Sequence, residues 1–140
     1  MADEPLNRAL VPALLVLRVT LGVFLLQWGI EKFVVPDVNI FIWQHFYGLE
    51  MSHALGYAFG AAEVAIAACL FLGLFKTVTY GLAAVIHAVS MAVSWRQLID
   101  PWGEPVNHLF IAGIPVLGAM VVLFLLRGYD RGVLDRVRQV

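Results

Sequence analysis

Four long apolar runs, separated by short polar segments, dominate the hydrophobic pattern of the sequence. A hydrocarbon core about 30 Å thick requires about 20 helical residues at roughly 1.5 Å per residue. Each run is long enough, and the predicted spans are 12–35, 53–75, 77–98 and 108–126. Pro115 should kink the last of them. The pattern predicts an all-α integral membrane protein, a four-transmembrane-helix bundle that forms a single domain over residues 1–140.

The three connections differ in character. The first, PDVNIFIWQHFYGLEMS, is too polar to cross a membrane and rich in aromatic residues, which predicts an interfacial segment, a short helix, between helices 1 and 2. Spans two and three meet almost directly at Lys76, which predicts a tight antiparallel hairpin. The third connection contains DPWGEPVN, whose proline and glycine residues predict a turn on the same side as the aromatic segment.

Composition supports a membrane protein and excludes several other classes. The chain is 61% hydrophobic and 14% charged, whereas globular domains are usually about 45–50% apolar. The net charge of −1 and the lack of a basic run argue against a nucleic acid partner. A single cysteine, Cys69, excludes an internal disulfide and a CxxC redox site within this chain.

Basic residues predict the orientation in the membrane. With four spans, both termini share a side with Lys76, and this side carries seven of the nine basic residues: Arg8, Arg18, Lys76, Arg127, Arg131, Arg136 and Arg138. The positive-inside rule then predicts a multi-pass protein of the cell inner (plasma) membrane with both termini cytoplasmic. The cytoplasmic tail, 127–140, should form a short helix on the inner surface or serve only as a topological anchor.

Glu63 is the main candidate for function, because a carboxylate inside an apolar span costs at least about 2.5 kcal/mol unless something compensates it. Glu63 and His87 each lie roughly ten residues from the start of their span, or about 15 Å deep. The two side chains should therefore lie near the same level on antiparallel neighbours. This arrangement predicts a polar pocket among spans one to three, open toward the outer side.

Other polar residues extend this candidate site. Gln27 and Glu31 share a face of the first span, and Ser90 and Ser94 continue the stripe of His87. The predicted ligand-binding residues are Glu63, His87, Gln27, Glu31, Ser90 and Ser94. The sequence supplies no catalytic set, and whether the protein is an enzyme stays open.

Each of these residues also has a purely structural interpretation. Glu63 can be a protonated acid within the bundle, and His87 a neutral core histidine bonded to a serine or a carbonyl. The serines can bond their own helix backbone, and Glu31 with Lys32 can form a solvated or snorkelling pair near the interface. Arg18 requires a counter-charge or a snorkelling path, and snorkelling is the favoured interpretation. No histidine pair has the spacing of helical metal ligands, so no metal site is predicted.

Short motifs give the chain a resemblance to a known family. The first span, RVTLGVFLLQWGIEKF, resembles the opening helix of DoxX-type membrane proteins in its arginine, its glycines and its Gly-x-x-Lys-Phe ending. Further similar positions are Tyr47-Gly48-Leu49, Gly60, Glu63, Leu72-Gly73-Leu74 and Leu134-Asp135-Arg136. The resemblance covers nearly the whole chain, although spans three and four, with His87, carry no such motif.

The resemblance implies a four-helix membrane bundle and an association with redox enzymes, since one relative is a membrane subunit associated with thiosulfate:quinone oxidoreductase. We therefore expect an accessory subunit of a membrane oxidoreductase system, with an outer-half pocket for a quinone or similar amphipathic ligand and a membrane or cytoplasmic oxidoreductase partner. One alternative is a non-catalytic lipid- or sterol-like binding protein, as in the similar EXPERA group. Another is a membrane scaffold for a soluble enzyme. A homo-oligomer is also compatible with the sequence.

Overall fold

The computed structural model describes residues 3–104 and 106–131, with side chains from Arg8 onward, and every regular element in these ranges is helical. The elements are α1 (Asp3–Val34), α2 (Pro36–Ile42), a π-helical turn (Trp43–Tyr47), α3 (His53–Leu72), α4 (Lys76–Val93), α5 (Trp95–Ile99), a 3-10 helix (His108–Ala112) and α6 (Gly113–Leu125).

In the described part of the chain, four helical segments are long and apolar enough to cross a membrane: Arg8–Val34, His53–Leu72, Lys76–Val93 and His108–Leu125. The predicted fold class, an all-α bundle of four membrane-spanning helices, is confirmed. A short helix, α2, also occupies the connection for which one was predicted.

Local signals explain the ends of the helices. The Ser52 hydroxyl caps α3 by accepting a hydrogen bond from the backbone N–H of Leu55, and Gly73 ends the helix with a left-handed φ of 64°. Phe75 also has a positive φ, 48°, so the chain reverses between α3 and α4 within three residues. The predicted short connection at Lys76 is therefore present.

Three features of the helices differ from the prediction. The first span was expected to begin at residue 12, but α1 begins at Asp3 and contains Pro12 in its interior. The third span was expected to reach residue 98, but α4 ends at Val93 and the chain continues as the separate helix α5. Pro115 does not interrupt an established helix, because it lies in the first turn of α6, immediately after the 3-10 helix. A proline in a first turn removes an N–H that has no intrahelical partner. The change from 3-10 to α-helix at Gly113 thus replaces the predicted kink.

The bundle consists of two helix pairs, with α1 packed mainly against α3 and α4 packed mainly against α6. Glycine brings α1 close to α3. A Cβ atom at Gly29 would lie 2.9 Å from Cγ2 of Val64 and 3.2 Å from the carbonyl oxygen of Gly60. Such close approach of small residues is typical of helix packing in membranes. The α1–α3 pair therefore has a tight backbone contact next to Glu63.

The described part of the bundle has two ends. The tail end contains residues 8–12, the α3–α4 turn and residues 126–131, and the loop end contains residues 35–52, 94–104 and 106–107. The buried core lies between them and consists of Leu14, Leu21, Leu25, Ala67, Leu70, Tyr80, Ala83, Met120 and Leu123. Most of the predicted tail helix, residues 132–140 with Leu134-Asp135-Arg136, lies outside the described residues.

Candidate functional site

The polar centre of the α1–α3 pair is an ion pair between Lys32 and Glu63. The Lys32 Nζ atom lies 2.7 Å from Oε2 of Glu63, and the two side chains are only 10% and 13% exposed. Lys32 Nζ also donates a hydrogen bond of 3.1 Å to the carbonyl oxygen of Trp28. The compensation that Glu63 requires is therefore a cation on the neighbouring helix.

Lys32 lies deeper than the interface position that the sequence suggested for it. The antiparallel contact of Gly29 with Gly60 brings the end of α1 to the middle of α3. Beyond Val34, α2 continues along the first turns of α3, where the Asn39 side chain packs against Gly56. Lys32 is buried, so the solvated Glu31–Lys32 pair is not the arrangement found.

The ion pair keeps unused hydrogen-bonding capacity. Among the described residues, Lys32 uses two of the three donors of its ammonium group, and Oε1 of Glu63 has no hydrogen-bond partner. About one turn toward the loop end, the rings of Phe33 and Tyr57 stack with their centroids 5.6 Å apart. Donor, acceptor and aromatic surface therefore lie together at one place between α1 and α3.

His87 belongs to a different contact. Its Nε2 atom lies 2.9 Å from the carbonyl oxygen of Gly113, and Phe24 packs edge-on against the imidazole at 5.2 Å. An Nε2–H tautomer donates this hydrogen bond. His87 therefore joins α4 to the start of α6 and contacts α1, while Glu63 pairs with Lys32. The sequence left contact between Glu63 and His87 open, and in the described structure the two residues have separate partners.

The other predicted site residues are dispersed. Ser94 donates its hydroxyl to the backbone of its own helix, at 2.7 Å from the carbonyl oxygen of Ser90. The Ser90 hydroxyl lies 3.3 Å from the hydroxyl of Tyr47. Gln27 is exposed on α1, and Glu31 is half-buried next to Lys32. Of the six predicted residues, only Glu63 and Glu31 lie near the ion pair, and Lys32 is the residue that the prediction omitted.

The family model for DoxX matches residues 13–97, more than half of the 140-residue chain. The chain belongs to the DoxX family. No curated protein and no solved structure matches it. The matched region extends from α1 through most of α5 and includes Lys32, Glu63 and His87. The resemblance noted from the motifs is thereby confirmed, whereas α6 and the residues that follow it lie outside the match.

A second buried ion pair lies at the tail end of this DoxX-family protein. The Arg18 Nη1 atom is 3.3 Å from Oδ2 of Asp130, and the two side chains are 4% and 1% exposed. The Tyr80 hydroxyl donates to the same carboxylate oxygen, and Lys76 Nζ donates to the Asp130 backbone carbonyl at 2.7 Å. Among the described residues, Arg18 Nε and Asp130 Oδ1 have no hydrogen-bond partner. This cluster joins α1, α4 and the segment after α6.

Asp130 is the residue that sequence reasoning missed at this end. The available signal was Arg18, a guanidinium inside a span that needed either a counter-charge or a path to the headgroups. Asp130 follows the last predicted span by only a few residues and lies at the same end of the bundle. The structure shows the counter-charge arrangement rather than the favoured snorkelling. In residues 3–104 and 106–131, no group of three His, Cys, Asp or Glu side chains could hold a metal ion.

Proposed function

We propose that this DoxX-family membrane protein is an accessory subunit of a membrane oxidoreductase system, and that Lys32 and Glu63 bind the polar head of a quinone or a comparable amphipathic molecule. The observation that carries the proposal is the ion pair itself. It lies at the middle of α3, is 10% and 13% exposed, and retains an unused ammonium donor and an unused carboxylate oxygen. The partial exposure of both side chains leaves this capacity open to a ligand.

The chemistry of the pair suits both redox states of a quinone. A quinone carbonyl accepts a hydrogen bond from Lys32 Nζ, and a quinol hydroxyl donates one to Glu63. Conversion of quinone to quinol takes two electrons and two protons. The electrons come from a partner oxidoreductase, because neither lysine nor glutamate supplies them, and Glu63 exchanges a proton at the head group. The stacked rings of Phe33 and Tyr57 support the ligand ring.

The remaining candidate residues take narrower roles in this proposal. Glu31 places a second, half-buried carboxylate near the ion pair. His87 and Ser94 hold α4 in position through their own hydrogen bonds, and Ser90 contacts the aromatic segment through Tyr47. Gln27 is exposed on α1 and is available to a partner subunit, a second copy of the chain or lipid.

The distribution of charge supports an orientation in the inner membrane. Among the described residues, five basic residues lie toward the tail end, Arg8, Arg18, Lys76, Arg127 and Arg131, and two toward the loop end, Lys32 and Arg96. The positive-inside rule then puts the tail end, with both termini, in the cytoplasm. In this orientation the loop end of the bundle faces the outer side of the membrane.

Binding of a soluble quinone analogue tests the site. The purified protein in detergent is titrated with decylubiquinone, and quenching of tryptophan fluorescence is followed, since the carbonyl of Trp28 is bonded to Lys32. Glu63→Gln, which keeps the shape of the side chain, is expected to weaken binding about tenfold or more through loss of a charged hydrogen-bond partner. Asp37→Asn, an exposed carboxylate at the loop end, serves as the matched control.

Equal affinity of the Glu63→Gln variant and the wild-type protein would contradict the proposed site. The same pair could instead hold the hydroxyl of a lipid- or sterol-like ligand without any electron transfer. Extraction of the ligand that co-purifies distinguishes the two cases, because a quinone changes its ultraviolet absorbance on reduction with borohydride and a saturated lipid does not.

A further inference from the structure

The π-helical turn, Trp43–Tyr47, reaches across the loop end of the bundle. The ring of Trp43 lies 5.2 Å from the ring of Phe59 on α3, measured between centroids. The ring of Phe46 lies 5.7 Å from that of Phe110, in the 3-10 helix that begins the fourth span. One short turn therefore contacts two spans that belong to different helix pairs.

Tyr47 extends the same turn to a third span. Its hydroxyl lies 3.3 Å from the hydroxyl of Ser90 on α4. Its ring also stacks on the ring of Trp43, with the centroids 4.4 Å apart, so the two rings form one continuous aromatic surface. The turn therefore lies among α3, α4 and the fourth span, and its three aromatic side chains are half-buried.

Each of these contacts lies about one helical turn closer to the loop end than a polar group of the same span. On α3, which runs from the loop end to the tail end, Glu63 follows the contacted ring by four residues. On α4, which runs the other way, Ser90 follows His87 by three residues. On the fourth span, the Gly113 carbonyl that is bonded to His87 follows Phe110 by three residues. The turn thus lies between these polar groups and the loop end.

The attachment of the turn allows its rings to swing away from the bundle. The turn ends at Gly48, which has a left-handed φ of 65°, and an added Cβ there would meet no atom within 4 Å. Glycine in open surroundings gives the backbone the freedom of a hinge. Within the described structure no ion pair and no backbone hydrogen bond joins the turn to another span, and its one hydrogen-bonding contact with a span is that of Tyr47. Single π-helical turns are also often found at functional sites.

We propose that the π-helical turn is a lid, which controls how water and small polar solutes reach Glu63 and His87 from the loop end. The structure is that of the closed state, in which the three rings lie between these residues and the loop end. Rotation about Gly48 separates Tyr47 from Ser90 and opens the path. The lid does not depend on a quinone as the ligand, because it concerns the route to the polar groups and not the molecule that binds them.

The rate of thiol modification tests the lid in the full-length protein in lipid nanodiscs. Cys69→Ser removes the native thiol, and Met91→Cys supplies a probe behind the lid. The sulfur of Met91 lies against the backbone of Gly113, where an added Cβ would also be 3.5 Å from Nε2 of His87. The reagent is a methanethiosulfonate that carries a trimethylammonium group, so it is soluble in water and does not enter hydrocarbon. Mass spectrometry follows the product.

Removal of a lid ring should speed up the modification. Phe46→Ala should raise the rate about tenfold, because it removes the ring contact with the fourth span. Tyr47→Phe, which removes only the hydroxyl and keeps the ring, should raise the rate less. Phe41→Ala is the matched control, since this ring of α2 is 60% exposed and stacks on His45 within the same segment. The control should react at the rate of the parent protein.

Equal rates in the parent protein and in both lid variants, whether fast or slow, would overturn the lid. An increase with Phe41→Ala as large as that with Phe46→Ala would also overturn it, because the segment would then be loosened in general. Gln44→Cys, at an exposed position of the turn, shows that the reagent is active and should react fast in every background. The Tm of each variant reports whether it is folded. A failure of decylubiquinone to bind would contradict the site at Lys32 and leave these rates unchanged.

Discussion

The two buried ion pairs of this DoxX-family protein differ in the number of groups that complete them. Asp130 binds Arg18, accepts a hydrogen bond from Tyr80 and receives Lys76 at its backbone carbonyl. Glu63 has one side-chain partner, Lys32. Each carboxylate keeps one oxygen without a partner among the described residues, Oε1 in Glu63 and Oδ1 in Asp130. The side chains of Arg18 and Asp130 are 4% and 1% exposed, and those of Lys32 and Glu63 are 10% and 13% exposed.

This difference separates an ion pair that only stabilises the fold from one whose charged groups a ligand can reach. Removing one partner of a fully buried pair leaves an uncompensated ion and is strongly destabilising. A pair with fewer partners and more exposure can lose a charge at a lower cost, and its free hydrogen-bonding groups can be reached by a ligand. We therefore interpret the Arg18–Asp130 cluster as the contact that fixes the segment after α6, and Lys32–Glu63 as the site for a ligand.

The largest expected effect is that of Asp130→Ala, which leaves Arg18 buried without its counter-charge. Such losses cost about 3–5 kcal/mol, and Arg18 Nε already lacks a partner in the described structure, so the lower part of this range is expected. The free energy of unfolding is measured by titration with dodecyl sulfate in mixed micelles.

Asp37→Asn is the control for Asp130→Ala, because the Asp37 side chain is 91% exposed and pairs with His53 at the surface. Surface substitutions of this kind usually change stability by less than about 0.5 kcal/mol. If the Asp130 variant were as stable as this control, the tail-end cluster would not be a structural contact.

The spans could be predicted from the sequence, whereas the contacts between the helices could not. Hydropathy and length suffice to predict four spanning helices, because the bilayer imposes them on any chain of this pattern. Depth placed Glu63 at the middle of its span, but depth does not determine which face meets which neighbour. The sequence therefore left open whether His87 touches Glu63, and in the structure His87 bonds to Gly113 on α6.

The burial of Lys32 could not be predicted from the sequence either. Lys32 lies close to the end of the first apolar run, which suggested a position at the membrane interface. The sequence did not predict that α2 extends along α3. The tight Gly29–Gly60 contact, which sets the register of α1 on α3, is a property of the packed backbone. Asp130 was missed for the same reason, because its partner Arg18 lies more than a hundred residues away.

Gly29→Ala should have the second-largest effect and tests how the Lys32–Glu63 pair is positioned. A Cβ at this position would lie 2.9 Å from Cγ2 of Val64 and 3.1 Å from its backbone nitrogen. Overpacking of this kind costs about 1–3 kcal/mol, and it should also move Lys32 relative to Glu63 and weaken quinone binding. The free energy of unfolding and the decylubiquinone titration are both measured.

Gly118→Ala is the matched control within α6, where an added Cβ meets no atom within 4 Å. Alanine is favoured over glycine inside a helix by about 1 kcal/mol, so this variant should be as stable as the wild type or more stable. An equal loss of stability in both variants would show that the α1–α3 contact has no special role.

The smallest expected effect on stability is that of Glu63→Gln, which is the most direct comparison between the two ion pairs. The amide oxygen of glutamine can still accept a hydrogen bond from Lys32, and the pair is partly exposed, so the cost should be about 1 kcal/mol. Asp130→Asn is the equivalent change at the tail end and should cost clearly more, because Arg18 would then be a nearly buried cation facing a neutral amide. Both variants are compared by dodecyl sulfate titration. If Glu63→Gln lowered the free energy of unfolding as much as Asp130→Asn, the Glu63 charge would serve to stabilise the fold. The Lys32–Glu63 pair would then not be a ligand site.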